Sequence, residues 1–153
     1  MSIFGDTKCD CCVCPMQCVL EQLVGEEVSI LIQTTNPVSQ VINEVNDFIV
    51  FTSQGNYPIC NVVAVFVPMP SRNLRLKPIK KNVGECSCCE APMTNVLKLL
   101  KGKDVFVETL GIVPNILGTV TDVGEGIAVV TGSGTSNFPT VISTCAITRV
   151  IQS

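Results

Sequence analysis

The stretch CDCCVCPMQCVLEQLVGEEV, at residues 9–28, decides the fold because it returns at residues 86–105 as CSCCEAPMTNVLKLLKGKDV. Aligned at an offset of 77 residues, the two copies are identical at 10 of 20 positions, which chance does not produce. With short gaps the agreement continues through Pro37 with Pro114, Ile49 with Ile127, Tyr57-Pro58 with Phe138-Pro139, and Ala64 with Ala146. The chain is therefore predicted to be a tandem duplication of a unit of about 60 to 70 residues.

Each copy opens with the pattern of a short amphipathic helix. A proline at the first helical position precedes a stripe of apolar residues, and a glycine then ends the helix. The stripe and its glycine are Met16, Val19, Leu20, Leu23 and Gly25 in the first copy, and Met93, Val96, Leu97, Leu100 and Gly102 in the second.

Short β-rich segments separated by Gly and Asn turns follow each helix. They are predicted at 28–32, 39–44, 48–51 and 59–67 in the first copy, and at 105–109, 116–121, 127–130 and 141–151 in the second. A short helix followed by four or five short strands suits a small closed barrel, which hides strand edges. The predicted fold class is therefore mainly β, with two tandem small β-barrels, each preceded by a short N-terminal α-helix.

The run LLKGKDVFV at 99–107, followed by GTVTD at 118–122 and the strand at 127–130, resembles the Sm-like small barrel. More narrowly, it is similar to the short Sm-like domains of unknown function found in spore-forming bacilli. The resemblance covers most of each repeat and implies two Sm/SH3-like barrels. Neither unit ends with the Arg-Gly signature of the RNA-binding members, so the barrel is expected without the RNA function.

The predicted organisation has four parts. A cysteine-rich arm at 1–14 precedes a first barrel at 15–68; a proline-rich linker spans 69–85; and a second, cysteine-led barrel spans 86–153. The linker carries half of the ten basic residues: Arg72, Arg75, Lys77, Lys80 and Lys81. We expect it to be extended and docked as a strand through Leu74, Leu76 and Ile79.

Ten cysteines in 153 residues approach the density of disulfide scaffolds, although the first residues lack the pattern of a secretory signal. Adjacent cysteines such as Cys11 and Cys12 do not readily bond to each other, so their sulfurs seek different partners. Intermolecular disulfides are therefore predicted from Cys9, Cys11, Cys12, Cys14, Cys86, Cys88 and Cys89. Their predicted acceptors include Cys60, Cys145 and Cys18.

Two other interpretations of the cysteines stay open. The Cys-x-Cys-Cys-x-Cys pattern crowds soft thiolates that suit zinc or copper(I), although the second copy has Ala91 where the first has Cys14. Cys60 and Cys145, which are flanked by strand residues, fit equally well as buried small hydrophobes. No metal site or other cofactor is assigned.

Composition narrows the function classes. The chain has no histidine, which excludes histidine-dependent triads, histidine metal sites and haem attachment, and no catalytic residue is predicted. The longest apolar run, at 62–67, is far too short for a bilayer, so no membrane partner is expected. An acidic pI near 4.9 and a single tyrosine, Tyr57, argue against nucleic-acid binding.

The two halves of the chain differ in charge. Residues 1–70 hold one basic and seven acidic residues, a net charge of −6, whereas residues 71–153 hold nine basic and six acidic residues, a net charge of +3. This asymmetry favours head-to-tail contacts, which propagate into rings or filaments. The predicted partner is therefore a second copy of the chain.

Together these features predict a structural, self-assembling subunit rather than an enzyme. Cysteine-rich proteins without an export signal resemble components of bacterial spore coats, exosporium layers and spore appendage fibres. That resemblance implies synthesis in the mother-cell cytoplasm, a final place on the spore surface or in an extracellular fibre, and other spore surface proteins as further partners. The alternatives are a metal-thiolate protein and, behind it, an Sm-like RNA-binding module.

Overall fold

A computed structural model describes residues 13–34, 37–67, 74–76, 91–111, 115–132 and 139–152. Within these residues the two repeat units have the same order of elements, one helix followed by five strands. The first unit contains α1 (Val13–Gln22), β1 (Glu27–Ile32), β2 (Val38–Asn46), β3 (Ile49–Thr52), β4 (Gly55–Pro58) and β5 (Val62–Phe66). The second contains α2 (Ala91–Leu99), β6 (Asp104–Thr109), β7 (Asn115–Gly124), β8 (Ile127–Thr131), β9 (Pro139–Ser143) and β10 (Ile147–Gln152).

The ten strands form one antiparallel sheet in the order β10-β6-β7-β8-β9-β5-β1-β2-β3-β4. The prediction of a mainly β chain with a short helix before each set of strands is confirmed. The sheet is open and does not show two closed barrels, because β5 pairs with β1 of its own unit and also with β9 of the other. In the described part of the chain, β10 and β4 each pair on one side only.

The two units repeat each other in detail. After α1 the Gly25 N–H donates to the Ile42 carbonyl at 2.7 Å, and after α2 the Gly102 N–H donates to the Val120 carbonyl at 2.8 Å. Both glycines have positive φ angles, +88° and +85°, which an L side chain rarely adopts. Their predicted role in ending the helices is therefore confirmed.

The strand prediction fails in the last third of each unit. Segments 59–67 and 141–151 are not single strands, because a 3₁₀ turn (Ile59–Asn61 or Thr144–Ala146) interrupts each before β5 or β10 begins. Strand β4 was not predicted, since its Gly and Asn residues are typical of turns. The two 3₁₀ turns are equivalent, so Cys60 and Cys145 occupy the same position in the two repeat units.

This equivalence corrects the sequence alignment at the end of each unit. Ala64 lies within β5, whereas Ala146 lies in the second 3₁₀ turn, so the two are not counterparts. Similarly, Tyr57-Pro58 closes β4, whereas Pro139 opens β9. Gaps of a few residues in the loops displaced the alignment, because loops tolerate insertions that strands do not.

The predicted helix stripe is confirmed in α1, where Met16, Val19, Leu20 and Leu23 are all buried. In α2 only part of the prediction holds. Leu97 is buried and Met93 and Leu100 pack against the core, but Val96 is 43% exposed. Beside α1 the segment 74–76 packs against the core, and the described residues include no such segment beside α2.

Two hydrophobic cores share side chains across the junction of β5 and β9, here called the central joint. The core under the first unit includes three residues of the second unit, Ile127, Val129 and Val141. The core under the second unit includes three residues of the first, Leu31, Val63 and Ala64. Burying a Val, Leu or Ile side chain of this kind contributes about 1.5–3 kcal/mol, and the smaller Ala64 contributes less, so the two units stabilise each other.

The hairpin turn between β2 and β3 is strained. Both of its central residues, Asp47 and Phe48, have positive φ angles of 51° and 63°, and a bulky residue is rarely found there. The equivalent of Phe48 in the second unit is Gly126, with φ 71°. The carbonyls of Phe48 and Gly126 accept matching hydrogen bonds from Ile59 and Thr144.

The substitution Phe48→Gly is therefore expected to raise the free energy of unfolding by about 1 kcal/mol, because glycine adopts this φ without strain. The reciprocal Gly126→Ala is expected to lower it by about 1 kcal/mol. Chemical denaturation under reducing conditions measures both. Two changes of the same sign would show that the backbone of this turn does not carry the strain.

Candidate functional site

The predicted cross-linking cysteines lie mostly beyond the described residues. Cys9, Cys11, Cys12, Cys86, Cys88 and Cys89 fall outside them, and Cys14 lies in α1 without a described side chain. Their role in cross-linking therefore stays a prediction. Helix α1 begins at Val13, so its first turn follows directly on the cluster at 9–12.

Three cysteines can be placed. Cys18 lies half-buried on α1 and Cys60 lies exposed in the first 3₁₀ turn, and both carry free thiols. The Cys60 thiol makes only a weak contact, 3.8 Å from the Asn61 Oδ1 atom. Cys145 is half-buried in the second turn and is disulfide-bonded, to a sulfur that is not among the described side chains. The structure thus presents Cys60 as an accessible thiol beside the β4 edge.

The free side of β10, here called the β10 edge, carries an unusual mixture of side chains. Ile151 pairs with Phe106 of β6, which pairs with Leu117 of β7, so these three residues form one row across the sheet. Ile151 is 41% exposed and Leu117 is 55% exposed. This apolar row therefore reaches the outer strand without a covering element in the described part of the molecule.

A charged pair lies on the same edge. The Arg149 Nε atom is 2.8 Å from the Glu108 Oε1 atom, and the Arg149 Nη2 atom is 2.9 Å from the Glu108 Oε2 atom. This two-pronged hydrogen bond, and then the charge of Glu108, raises the pKa of Arg149 above its usual value. The guanidinium is exposed, so it keeps its charge at the outer strand and contributes little to the stability of the fold.

The free side of β4, here called the β4 edge, is acidic and partly apolar. Ile49 and Phe51 on the adjacent β3 are only half-buried, whereas their counterparts in the second unit, Ile127 and Val129, are buried at the central joint. Tyr57 packs on the first core with part of its ring exposed. The first unit, residues 13–67, contains five acidic residues and no lysine or arginine.

The linker docks through two of its three predicted residues, but its described part, 74–76, is not a strand. Leu74 and Leu76 pack against the first core, and the backbone of Arg75 is held between them by Gln22 of α1. The Gln22 Nε2 atom donates to the Arg75 carbonyl at 2.9 Å, and the Arg75 N–H donates to the Gln22 Oε1 atom at 2.8 Å. The third predicted docking residue, Ile79, lies outside the described residues. So do the other basic residues of the linker, which are Arg72, Lys77, Lys80 and Lys81.

Other kinds of site receive no support from the described residues. Within them, no three potential metal ligands among Cys, Asp and Glu lie close enough together to hold an ion. Neither described helix has the length and apolar composition needed to span a bilayer. The chain matches no protein-family profile, no curated protein and no solved structure.

Sequence reasoning found the cysteines but missed the two edges of the sheet. The edges depend on which strand lies outermost, and that is set by pairing between the units rather than by local pattern. One signal was present: the apolar run at 62–67 predicts a strand buried on both faces, whereas the segment 147–152 is interrupted by the polar residues Thr148, Arg149 and Gln152. Comparing these two equivalent strands would have indicated that only the first has a neighbour on each side.

Proposed function

We propose that the protein is a structural, non-enzymatic subunit that assembles head to tail into a fibre or coat layer of a bacterial spore. Disulfides between copies lock the assembly. In this proposal each five-stranded half is an Sm-like small barrel that stays open where it joins the next half. The chain is made in the mother-cell cytoplasm and reaches the spore surface after release.

The observation that carries this proposal is the open sheet with a different unpaired strand at each end of its described part. A contact between two different surfaces does not close on itself after two copies, so it continues into a ring or a filament. Exposed strand edges are ready to pair with another chain, which most single-domain proteins avoid.

The charges and the free thiol are also distributed differently between the two ends of the sheet. The first unit carries only acidic charges, whereas Arg149 lies on the outer strand of the second unit. The free thiol of Cys60 lies in the turn that follows β4, where an adjoining copy would come near it. A disulfide there or at the N-terminal cluster would convert a reversible contact into a covalent one.

Electrophoresis of protein purified without reductant tests the proposal. We expect a ladder of covalent multimers that collapses to a single band when reductant is added. A clean monomer band under both conditions contradicts the disulfide-linked subunit. Stoichiometric zinc or copper in discrete particles, measured by elemental analysis of freshly purified reduced protein, would instead support a metal-thiolate protein.

A further inference from the structure

The two outer strands of the sheet are the repeat counterparts of the two strands that meet at its centre. β10 corresponds to β5 and β4 corresponds to β9, because each occupies the same place in the strand order of its unit. The equivalent 3₁₀ turns join β4 to β5 and β9 to β10. The central joint is therefore an intramolecular example of a contact that the two free edges can form between chains.

We propose that β10 of one chain pairs antiparallel with β4 of a second copy, in the register of the central joint. At that joint Ala64 lies opposite Ile142, Val65 opposite Val141, and Phe66 opposite Thr140. Transferred to the equivalent positions, the register places Arg149 opposite Tyr57, Val150 opposite Asn56, and Ile151 opposite Gly55 of the second copy. This inference rests on the proposed self-assembly and adds the joining surface and its register.

The backbone of β4 is oriented for this pairing. At the central joint the Val67 N–H donates to the Pro139 carbonyl at 3.0 Å, so Pro139 faces β5. Hydrogen-bonding groups alternate sides along an antiparallel strand, so Val141, two residues on, also faces β5. Asn56 is the counterpart of Val141, and its N–H and C=O therefore point outward from β4.

The proline in β4 does not block the pairing. Pro58 lacks an N–H and is tolerated on an edge strand. Its counterpart, Ser143, lies outside the three paired positions of the central joint. The same register therefore needs no hydrogen bond from Pro58.

The side chains beside the two edges correspond to those that interlock at the centre. Ile127 and Val129 reach from the second unit into the first core, and their counterparts Ile49 and Phe51 lie half-buried beside β4. Pairing with β10 brings these two residues toward the core of the next chain, which Val150 borders. Each copy thus has partly exposed apolar side chains that the pairing buries.

The opposite face also accommodates the contact. Ile151, in the exposed apolar row, lies opposite Gly55 of the second copy. A Cβ atom at Gly55 would meet nothing within 4 Å, so there is room for the larger side chain. The proposed register therefore sets a bulky residue against an open position.

Electrostatics favour this pair of edges over two identical ones. Arg149 is the only arginine in residues 91–152, and the register sets it opposite Tyr57, whose ring can accept a guanidinium on its face. Because Arg149 is already paired with Glu108, it brings no unpaired charge to the contact. Tyr57 belongs to the unit that has five acidic residues and no basic ones at 13–67. A contact between two β10 edges would instead place arginines near each other, which selects the head-to-tail arrangement.

Cross-linking between two single variants tests the register. Chains carrying Asn56→Cys are mixed with chains carrying Val150→Cys, so a peptide that links residues 56 and 150 must be intermolecular. Directly opposed residues lie about 5.5 Å apart between Cα atoms, within the range that a disulfide spans. After mild oxidation we expect mass spectrometry to find this peptide, and to find no link when Gln54→Cys replaces Asn56→Cys.

The possible outcomes distinguish the proposed register from the proposed self-assembly. Protein that assembles without forming the 56–150 link overturns the proposed register, while the proposed self-assembly stands. Protein that does not assemble under any condition overturns both. A link from Gln54→Cys in place of Asn56→Cys also contradicts the register, because it would indicate a shift of two residues.

A backbone variant tests the same joint without added thiols. Asn56→Pro removes the outward N–H, whereas Asn56→Ala removes only the side chain. In reducing buffer we expect sedimentation to show that Asn56→Pro shifts the protein from assemblies to monomers and that Asn56→Ala leaves it assembled. Equal assembly of both variants overturns the pairing of β4 with a second copy.

Discussion

Substitution of Ala64 by arginine is expected to lower the free energy of unfolding by about 4 kcal/mol or more. Ala64 is fully buried in β5, between Leu31 of β1 and Ile142 of β9. An arginine at this position places an unpaired charge among apolar side chains of the second core, and its lost hydration is not replaced. Thermal denaturation in reducing buffer measures the effect as a fall in Tm of about 10 °C.

The repeat supplies a matched control for this substitution. Arg149 occupies the position in β10 that Ala64 occupies in β5, but it is exposed and paired with Glu108. Arg149→Ala is expected to change the free energy of unfolding by no more than about 1 kcal/mol. If Ala64→Arg also changed it by less than about 1 kcal/mol, the two units would not share a buried joint.

Replacement of the clustered cysteines by serine is expected to abolish covalent multimers while the fold is retained. The full variant changes Cys9, Cys11, Cys12, Cys14, Cys86, Cys88 and Cys89. Serine has nearly the same size but cannot form a disulfide, so the variant loses the cross-links and also the disulfide of Cys145, whose partner is among the replaced cysteines because Cys18 and Cys60 are free. Electrophoresis without reductant should then show the monomer band in place of the ladder, and circular dichroism should be unchanged.

Partial variants show which thiols meet. If the arm bonds to the second cluster of the next chain, serines at Cys9, Cys11, Cys12 and Cys14 alone are sufficient to remove the ladder. If arms bond to arms, serines at Cys86, Cys88 and Cys89 leave it intact. Cys18→Ser is the control because Cys18 is half-buried in α1, and we expect no change in the ladder. A ladder that persists in the full variant contradicts the assignment of these cysteines.

The duplication, both helices and most strands could be predicted from sequence, because each depends on local pattern. The stripe from Met16 to Leu23 and the glycines at 25 and 102 determine where the helices pack and end. Strand β4 could not be predicted this way. Its Gly55 and Asn56 are typical of turns, and only pairing with Thr52 and Phe51 of β3 makes them a strand.

The central joint could not be predicted from local sequence pattern either, but for a different physical reason. The pairing of β5 with β9 joins residues about 75 positions apart, such as Val65 and Val141, and no short pattern specifies such a partner. The expectation of closed barrels followed from treating each unit alone. Since the edges of the sheet are defined only once this joint is known, the candidate interface could not be derived from the sequence.

Negative-stain electron microscopy of the protein purified without reductant tests the central claim most directly. The claim is that copies join head to tail and become covalently locked. The predicted result is fibres or extended layers that survive denaturant and dissolve when reductant is added. Discrete monomeric particles in the absence of reductant would contradict the account.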